Sequence, residues 1–520
     1  MGRLPTFRNG VHPPEHKELT SGIPSRRLPF PEEIILPLSQ HLGRPAEALV
    51  KPGDRVERGD VIAKASGFIS SRVHASAAGT VKSIEHWPHP AGAMQPSIRI
   101  EVDPHSTQLQ RPRLVPHWDE VPAEQLSEEI SKAGIVGLGG AAFPTSVKLN
   151  VGVGLRSLIL NAAECEPFIS CDDTLLRHRS EEVVLGAQVM LHALEIRHCL
   201  IGIEDDKPEA REALTAAVAR IGDDRIEVLT VPAHYPSGGE RQLIQLLTGH
   251  EVPAQGIPAD IGYLCHNVGT AAAVARAVLR GEPLISRIVT VTGSGVSSPT
   301  NLEVRLGTPM ANLIDECGGY TANARYLIMG GAMMGFPLER DDLPVIKATN
   351  CLLAASEEDI RPREETLACI RCGDCASVCP ANLLPQQLQW YTRANDFEQV
   401  EALNLYDCIE CGCCDLVCPS HLPLTTTFRT AKARMRELED EKARARRARR
   451  RFEARRAAWG WPGRWSSGVQ LNGWPVDAAA GSAGGSRPPP AAIWTSNTCL
   501  TKCSVACWES LIVRPQRCLC

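Results

Sequence analysis

Aromatic residues are sparse, 5% of 520 residues, while glycine (42) and proline (39) are plentiful. That balance predicts many turns and short strands. No stretch approaches the roughly 18 consecutive apolar residues that a membrane-spanning helix needs. Met1 to Thr20 is polar and proline-bearing, without the apolar centre of a signal peptide. The expectation is a protein neither exported nor self-anchored, with any membrane association made through a partner or a surface. A large excess of either charge is missing too: the net charge is -5 and the hydrophobic share 43%, as in ordinary soluble proteins. The length is too great for one core and predicts roughly three to four domains.

Cysteine is abundant, with 20 residues. A disulfide scaffold suits small secreted domains; here the chain is long, lacks an export signal and packs many cysteines into two short runs. That pattern points to metal in a reducing compartment. The runs are Cys369-Ile-Arg-Cys372-Gly-Asp-Cys375-Ala-Ser-Val-Cys379-Pro380 and Cys408-Ile-Glu-Cys411-Gly-Cys-Cys414-Asp-Leu-Val-Cys418-Pro419. Both read C-x2-C-x2-C-x3-C-P, the bacterial ferredoxin pattern for a four-iron cluster, in which the fourth cysteine serves the other cluster. Gly373 and Gly412 let each loop turn, and the fourth cysteine is expected to begin a helix. Cys369, Cys372, Cys375 and Cys418 are assigned to one [4Fe-4S] cluster; Cys408, Cys411, Cys414 and Cys379 to the other. Structural zinc also takes four thiolates, but from separated C-x2-C knuckles rather than three cysteines in one loop. Cys413 falls outside the pattern and reads as a bystander. Between the runs, Leu383 to Tyr406 reads as a helix with Leu388, Tyr391, Phe397 and Leu403 on its apolar face.

Upstream, Gly137-Leu138-Gly139-Gly140-Ala141-Ala142-Phe143-Pro144-Thr145 is glycine-rich and Lys148 follows. Such a loop lets backbone N–H groups approach phosphate oxygens, although glycine-rich loops are also plain turns. Strand-like runs at Leu155 to Leu160, Cys199 to Ile203 and Ile226 to Val231 alternate with a helix around Pro208 to Ile221. A further amphipathic helix follows Tyr235-Pro-Ser-Gly238-Gly239-Glu240. This alternation indicates an α/β layer domain.

Four motifs in order, Gly137 to Pro144, Asn161-Ala-Ala-Glu164-Cys-Glu166-Pro167, Gly238-Gly239-Glu240 and Asn267-Val268-Gly269-Thr270, resemble those of the flavin- and NADH-binding subunit of respiratory complex I. The chain departs from that pattern at Leu138, Ala142, Ala163, Cys165 and Gly269. With two ferredoxin runs behind this core, residues 1 to 435 resemble more closely the RnfC family, the C subunits of Rnf (or Rsx) electron-transport complexes. The resemblance implies that Gly137, Gly139, Gly140 and Lys148 cradle flavin or nucleotide phosphate, and that Asn161 hydrogen-bonds the flavin ring. It implies further that Glu164 and Glu166 line the nicotinamide side as the catalytic acids, unless they are solvated loop carboxylates. Gly238, Gly239 and Glu240 would approach the nucleotide, with Asn267 and Thr270 at the flavin phosphate end. FMN and NADH/NAD are thus the implied cofactor and substrate, hydride exchange the implied chemistry.

The implied layout is multidomain α/β and α+β. A barrel-sandwich-like domain (1-125) carries two Gly-Asp turns, Gly53-Asp54 and Gly59-Asp60; its tip, Gly67 to Ser71, has no lysine to modify, so it reads as a docking module. A Rossmann-like FMN/NADH domain (126-285), a β-grasp-like module of the SLBB type (286-360) and a two-cluster ferredoxin domain (361-430) follow. The basic segment 431-456 has high helix propensity; it is a solvated helix, or a contact for anionic lipid or an acidic partner. Nothing upstream supports nucleic-acid binding. Residues 457-520, rich in Trp, Gly, Pro and Cys, fit neither a folded domain nor the family's tail, and read as disordered or an aberrant reading frame.

The reading implied is a peripheral subunit on the cytoplasmic face of the bacterial inner membrane. It would belong to a complex coupling electron transfer between NADH/NAD and ferredoxin pools to ion translocation, with the other subunits, NADH/NAD and ferredoxin as partners. Two alternatives stay open: an iron–sulfur relay without flavin, and the NADH-dependent flavoprotein subunit of a soluble hydrogenase or formate dehydrogenase.

Overall fold

A computed structural model describes residues 7–103, 105, 115–150, 154–360, 362 and 364–458; the segment after Ala458, and with it nearly all of the expected aberrant tail, lies outside the described residues. Four sheets and a helical unit organise these residues.

Two antiparallel sheets form the barrel-like unit. One holds Glu33–Pro37, Met94–Val102, Gly79–Pro88 and Arg55–Val56; the other holds Glu47–Ala48, Val61–Lys64 and Val73–His74. The two Gly-Asp turns repeat one device: Asp54 accepts the Lys51 N–H (2.9 Å) and Asp60 accepts the Glu57 N–H (2.8 Å). Ile34, Leu36, Ile62, Ile98 and Ile100 fill the interior. Arg26–Arg27, by contrast, leaves this unit and pairs with Thr300–Arg305 in another sheet.

The second body is a parallel sheet in the order Ile226–Val231, Cys199–Glu204, Ser157–Ala162, Tyr263–Asn267. Successive side chains leave a strand on opposite faces. Leu158 and Leu160 accordingly pack with the helices Cys171–Ala193 and Val268–Arg280, while Ile159 and Cys265 pack under Glu240–Thr248. The helix Pro208–Ile221 starts on a proline at its first turn and stops at left-handed Gly222, the chemistry both ends favour.

A six-stranded mixed sheet follows, with Ser286–Thr292, Thr300–Arg305, Cys351–Ala355, Tyr326–Met329 and Phe336–Leu338 beside Arg26–Arg27. Lys347, 1% exposed, ties three bodies together by donating to Arg72 O (2.8 Å) and Gly134 O (2.7 Å).

In the cysteine-rich unit the expected helix at 383–406 is two, Pro385–Arg393 and Phe397–Ala402. Left-handed Asn395 breaks it, and Asp396 caps the second piece through the Gln399 N–H (3.2 Å). The fourth cysteines do not begin helices either. Cys379 and Cys418 follow the short helices Asp374–Ser377 and Cys413–Leu416, and the next helices start at Pro385 and Leu424. Pro380 and Pro419 disfavour helical backbone at the residue before them. The basic segment extends the helix Leu424–Ala458. No helix among the described residues is long and apolar enough to cross a membrane.

Candidate functional site

The two cysteine runs fold as near-copies. Arg371 and Glu410, Gly373 and Gly412, and Asn382 and His421 hold matching places, and all six have positive φ. Each copy borders a small cavity. Cys369, Cys372, Cys375 and Cys418 line one; Cys408, Cys411, Cys414 and Cys379 line the other, where Leu388, Ile409 and Phe428 lie close by. Each quartet takes three thiols from one run and the fourth from the other. N–H groups reach sulfur inside the second quartet, from Leu383 to Cys379 Sγ and from Glu410 to Cys408 Sγ, both at 3.4 Å. Four convergent thiols among apolar neighbours, joined in the second cavity by N–H donors at sulfur, fit a [4Fe-4S] cluster in each cavity. The cavities differ in depth: Cys372 is exposed, whereas Cys379 and Cys411 are buried. Cys413, which the pattern leaves out, is buried against the second cavity as well.

The parallel sheet has a topological switch point. Its first strand in the chain, Ser157–Ala162, lies inside the sheet; the next two strands add on one side and Tyr263–Asn267 on the other. Connections diverge at the carboxyl ends of such neighbours and leave a crevice for a ligand. Asn161 and Asn267 are register partners at that end. Asn267 caps the helix Val268–Arg280 by accepting the Gly269 N–H (2.8 Å), and donates to Asp172 (2.6 Å). Asn161 donates to Gly238 O (2.8 Å).

The glycine loop closes on the same edge. Thr270 Oγ1 accepts the Leu138 N–H (3.0 Å), and a Cβ added to Gly139 would stand 3.3 Å from Asn267 Cβ. Gly139 and Gly140 are exposed, and Gly140, at φ +107°, has open space where a side chain would be. That bare backbone beside Asn267 suits a phosphate-bearing group. Lys148, in the short helix Thr145–Leu149, pairs with Glu240 (2.9 Å) and donates to Cys265 O (3.0 Å). Glu240 opens the helix that follows Gly238 and Gly239. A Cβ at Gly238 would lie 2.3 Å from Ala163 O, so only glycine lets this loop approach the first strand's end.

The two acids expected to be catalytic have other partners. Glu164 is 7% exposed; its oxygens accept the Asp172 (2.9 Å) and Asp173 (3.1 Å) N–H groups at the start of the Cys171–Ala193 helix. Burial, with Asp172 adding repulsion, pushes its pKa up to about 7. Glu166 accepts the Met333 (2.7 Å) and Met334 (2.8 Å) N–H groups from the six-stranded sheet's loop. Burial raises its pKa while those two donors pull it back.

Three further residues shape the site and were not singled out by motif. Asp172 anchors Asn267; buried Arg287 donates to Leu138 O (3.1 Å) and to Lys347 O beneath the glycine loop; Tyr235 reaches from the loop before Gly238 to the second cysteine run. Only Tyr235, adjoining the Gly-Gly-Glu segment, had a signal in the sequence. Asp172 and Arg287 depend on contacts between distant segments.

Residues 130–276 match the Nuo51 FMN-binding domain family, 5–105 the RnfC barrel sandwich hybrid domain, 288–337 the SLBB domain and 368–422 the 4Fe-4S dicluster domain. Among curated proteins the chain is similar to the C subunit of the ion-translocating oxidoreductase complex of Cronobacter sakazakii, at 45% identity over 87% of this chain and 58% of that protein. The proteins of the same name from Salmonella enteritidis (45%; 87% and 64%) and Pseudomonas aeruginosa (45%; 88% and 59%) are similar too. The chain thus spans less than two thirds of the length of these relatives. Among solved structures, an air-oxidized NAD+-reducing [NiFe]-hydrogenase aligns at a TM-score of 0.40 and 22% identity, over 55% of this chain and 57% of that one.

Proposed function

This chain belongs, over most of its length, to the RnfC family, the C subunits of ion-translocating oxidoreductase complexes, and from that we propose that it is the peripheral electron-transfer subunit of such a complex. It carries two [4Fe-4S] clusters and FMN, faces the cytoplasm at the inner membrane, and exchanges electrons with NADH/NAD on one side and with other subunits or ferredoxin on the other. One observation carries the reading: two four-thiol cavities and a parallel-sheet switch point edged by bare glycine backbone are joined in a single chain. Flavin, when bound, exchanges electron pairs with a nicotinamide and single electrons with iron–sulfur centres.

The chain's own residues supply position and surroundings. Gly137, Gly139 and Gly140 offer backbone to the phosphate, with Asn267 and Thr270 fixing the loop and Lys148 held beside it by Glu240. Asn161 and the Gly238–Gly239 turn form the opposite wall. Cys369, Cys372, Cys375 and Cys418 hold one cluster, and Cys379, Cys408, Cys411 and Cys414 the other. One observation favours a second reading, an iron–sulfur relay without flavin: the Lys148 ammonium, the charge meant for a phosphate, is paired with Glu240.

Anaerobic reconstitution, flavin extraction and NADH titration separate the two. The expected outcome is about eight iron atoms per chain, extractable FMN, and bleaching of the cluster absorbance by NADH. Clusters without flavin and without an NADH response select the relay; a chain that loads no iron sinks both.

A further inference from the structure

The loop between the third strand of the parallel sheet and the Glu240–Thr248 helix does two things at once. Its end, Gly238–Gly239, meets Asn161 and Ala163 at the crevice. Its beginning, Tyr235, is 3% exposed and donates its phenol hydrogen to the carbonyl of Cys411 at 2.7 Å. Glu166 lies in the same contact. Its carboxylate accepts the Met333 and Met334 N–H groups. Met333 in turn closes on the cysteine loop: a Cβ on Gly412 would stand 2.9 Å from Met333 O. Tyr235, Ile409, Cys411 and Cys413 share one apolar cluster, with Cys165 and Met333 packed against it. Among the described residues no comparable contact involves the first quartet: its Cys372 is exposed, and the neighbouring Arg371 stacks over Trp390 of the same unit (4.6 Å).

On the reading that the two quartets hold [4Fe-4S] clusters, we propose that Tyr235 and Glu166 are positioning residues for the cluster of Cys379, Cys408, Cys411 and Cys414. They fix the Cys411–Gly412 loop against the flavin-side sheet and tune that cluster's reduction potential, leaving the other untouched. The physics is local. Hydrogen bonds, dipoles and charges around a buried cluster set its potential. The phenol donor offsets the negative end of the Cys411 carbonyl dipole; without it the added electron is less welcome. The Glu166 carboxylate contributes negative charge close to the same loop, so neutralising it makes reduction easier. The pair also orders the electron path: the tuned cluster is the one joined to the crevice loop, and the cluster at exposed Cys372 is the outward one.

The test is a redox titration followed by electron paramagnetic resonance on the full chain with both clusters loaded, with each signal assigned by its loss in Cys408→Ala or Cys372→Ala. Tyr235→Phe, which keeps the ring and loses the donor, is expected to lower the midpoint potential of the signal lost in Cys408→Ala. Glu166→Gln is expected to raise it. Neither variant should move the signal lost in Cys372→Ala, and in both the Met333 and Met334 amides should exchange faster with deuterium. Equal shifts in both signals, a shift only in the Cys372 signal, or no shift at all overturns the inference. A wild-type chain that loads fewer than two clusters overturns the proposed function as well, so the two failures are told apart.

Discussion

Burial of Glu164 sets up a measurable linkage. Its carboxyl titrates near 7 in the fold, because desolvation and the Asp172 carboxylate outweigh Lys17 and the helix N–H groups; its ordinary value is 4.5. Below pH 4.5 the group is protonated in both folded and unfolded chains and costs nothing. Between 4.5 and 7 the unfolded chain has released the proton while the fold retains it, so stability falls as pH rises through that window. Above about 7 the loss is complete, at about 3 kcal/mol, since each tenfold difference in proton affinity carries about 1.4 kcal/mol. Glu164→Gln cannot titrate. The stability difference between wild type and variant, from urea unfolding at pH 4.5, 6 and 7.5, should therefore change by about that amount across the window; parallel curves would show that Glu164 stays ionised in the fold. Residue type in this motif was legible from sequence, but its hydrogen-bond partners were not. Whether a carboxylate faces a ligand or a helix terminus depends on where Cys171 to Asp173 lie, and nothing in Asn161 to Pro167 encodes that.

Elements were readable where the determinants are local. The Ile226–Val231 strand and the Pro208–Ile221 helix lie where they were expected, the helix bounded by an opening proline and left-handed Gly222. The helix expected over 383–406 failed on one backbone angle, the left-handed turn at Asn395. The cysteine loops were legible for the same reason, since their spacing is itself the geometry. The crevice was not, because it needs the register of Asn161 against Asn267 across a hundred residues of chain. Packing of the Cys171–Ala193 helix on Val268–Arg280 is a similar long-range fact, and it hangs on Gly186. A Cβ there would lie 1.9 Å from Ala271 O, a backbone atom that moves only with its helix. Alanine has the better helix propensity by about 1 kcal/mol, yet the forced separation of two buried helices costs about 1–3 kcal/mol beyond that gain. Gly186→Ala should lower the urea midpoint with helical circular dichroism unchanged; an equal or higher midpoint would mean the helices part freely.

At the scale of the whole molecule, the segment before the barrel acts as a strap across three bodies. Asn9 Nδ2 donates to Cys379 O (2.9 Å) and the Gly10 N–H to Val378 O (3.0 Å), both on the cysteine unit. Val11 exchanges backbone hydrogen bonds with Tyr235, Glu15 O accepts the Phe168 N–H (2.7 Å), and Lys17 donates to Glu164 O. Arg26–Arg27 then joins the six-stranded sheet. The strap therefore holds the Cys379 turn and the Tyr235 loop in register, the two sides of the cluster that Tyr235 is proposed to tune. Gly10 is its tightest point: at φ +94°, a Cβ would meet Tyr235 O at 2.5 Å and His234 Nε2 at 2.7 Å. A side chain there carries both a backbone penalty and a clash with backbone. Gly10→Ala should release the strap locally without unfolding any sheet. Amides at 376–382 and 233–237 are expected to exchange about tenfold faster with deuterium, while those of the barrel strands Gly79–Pro88 and Met94–Val102 keep their protection. Uniformly faster exchange would place Gly10 in global stability instead, and unchanged exchange at both segments would mean that contacts other than the strap hold the cysteine unit in place.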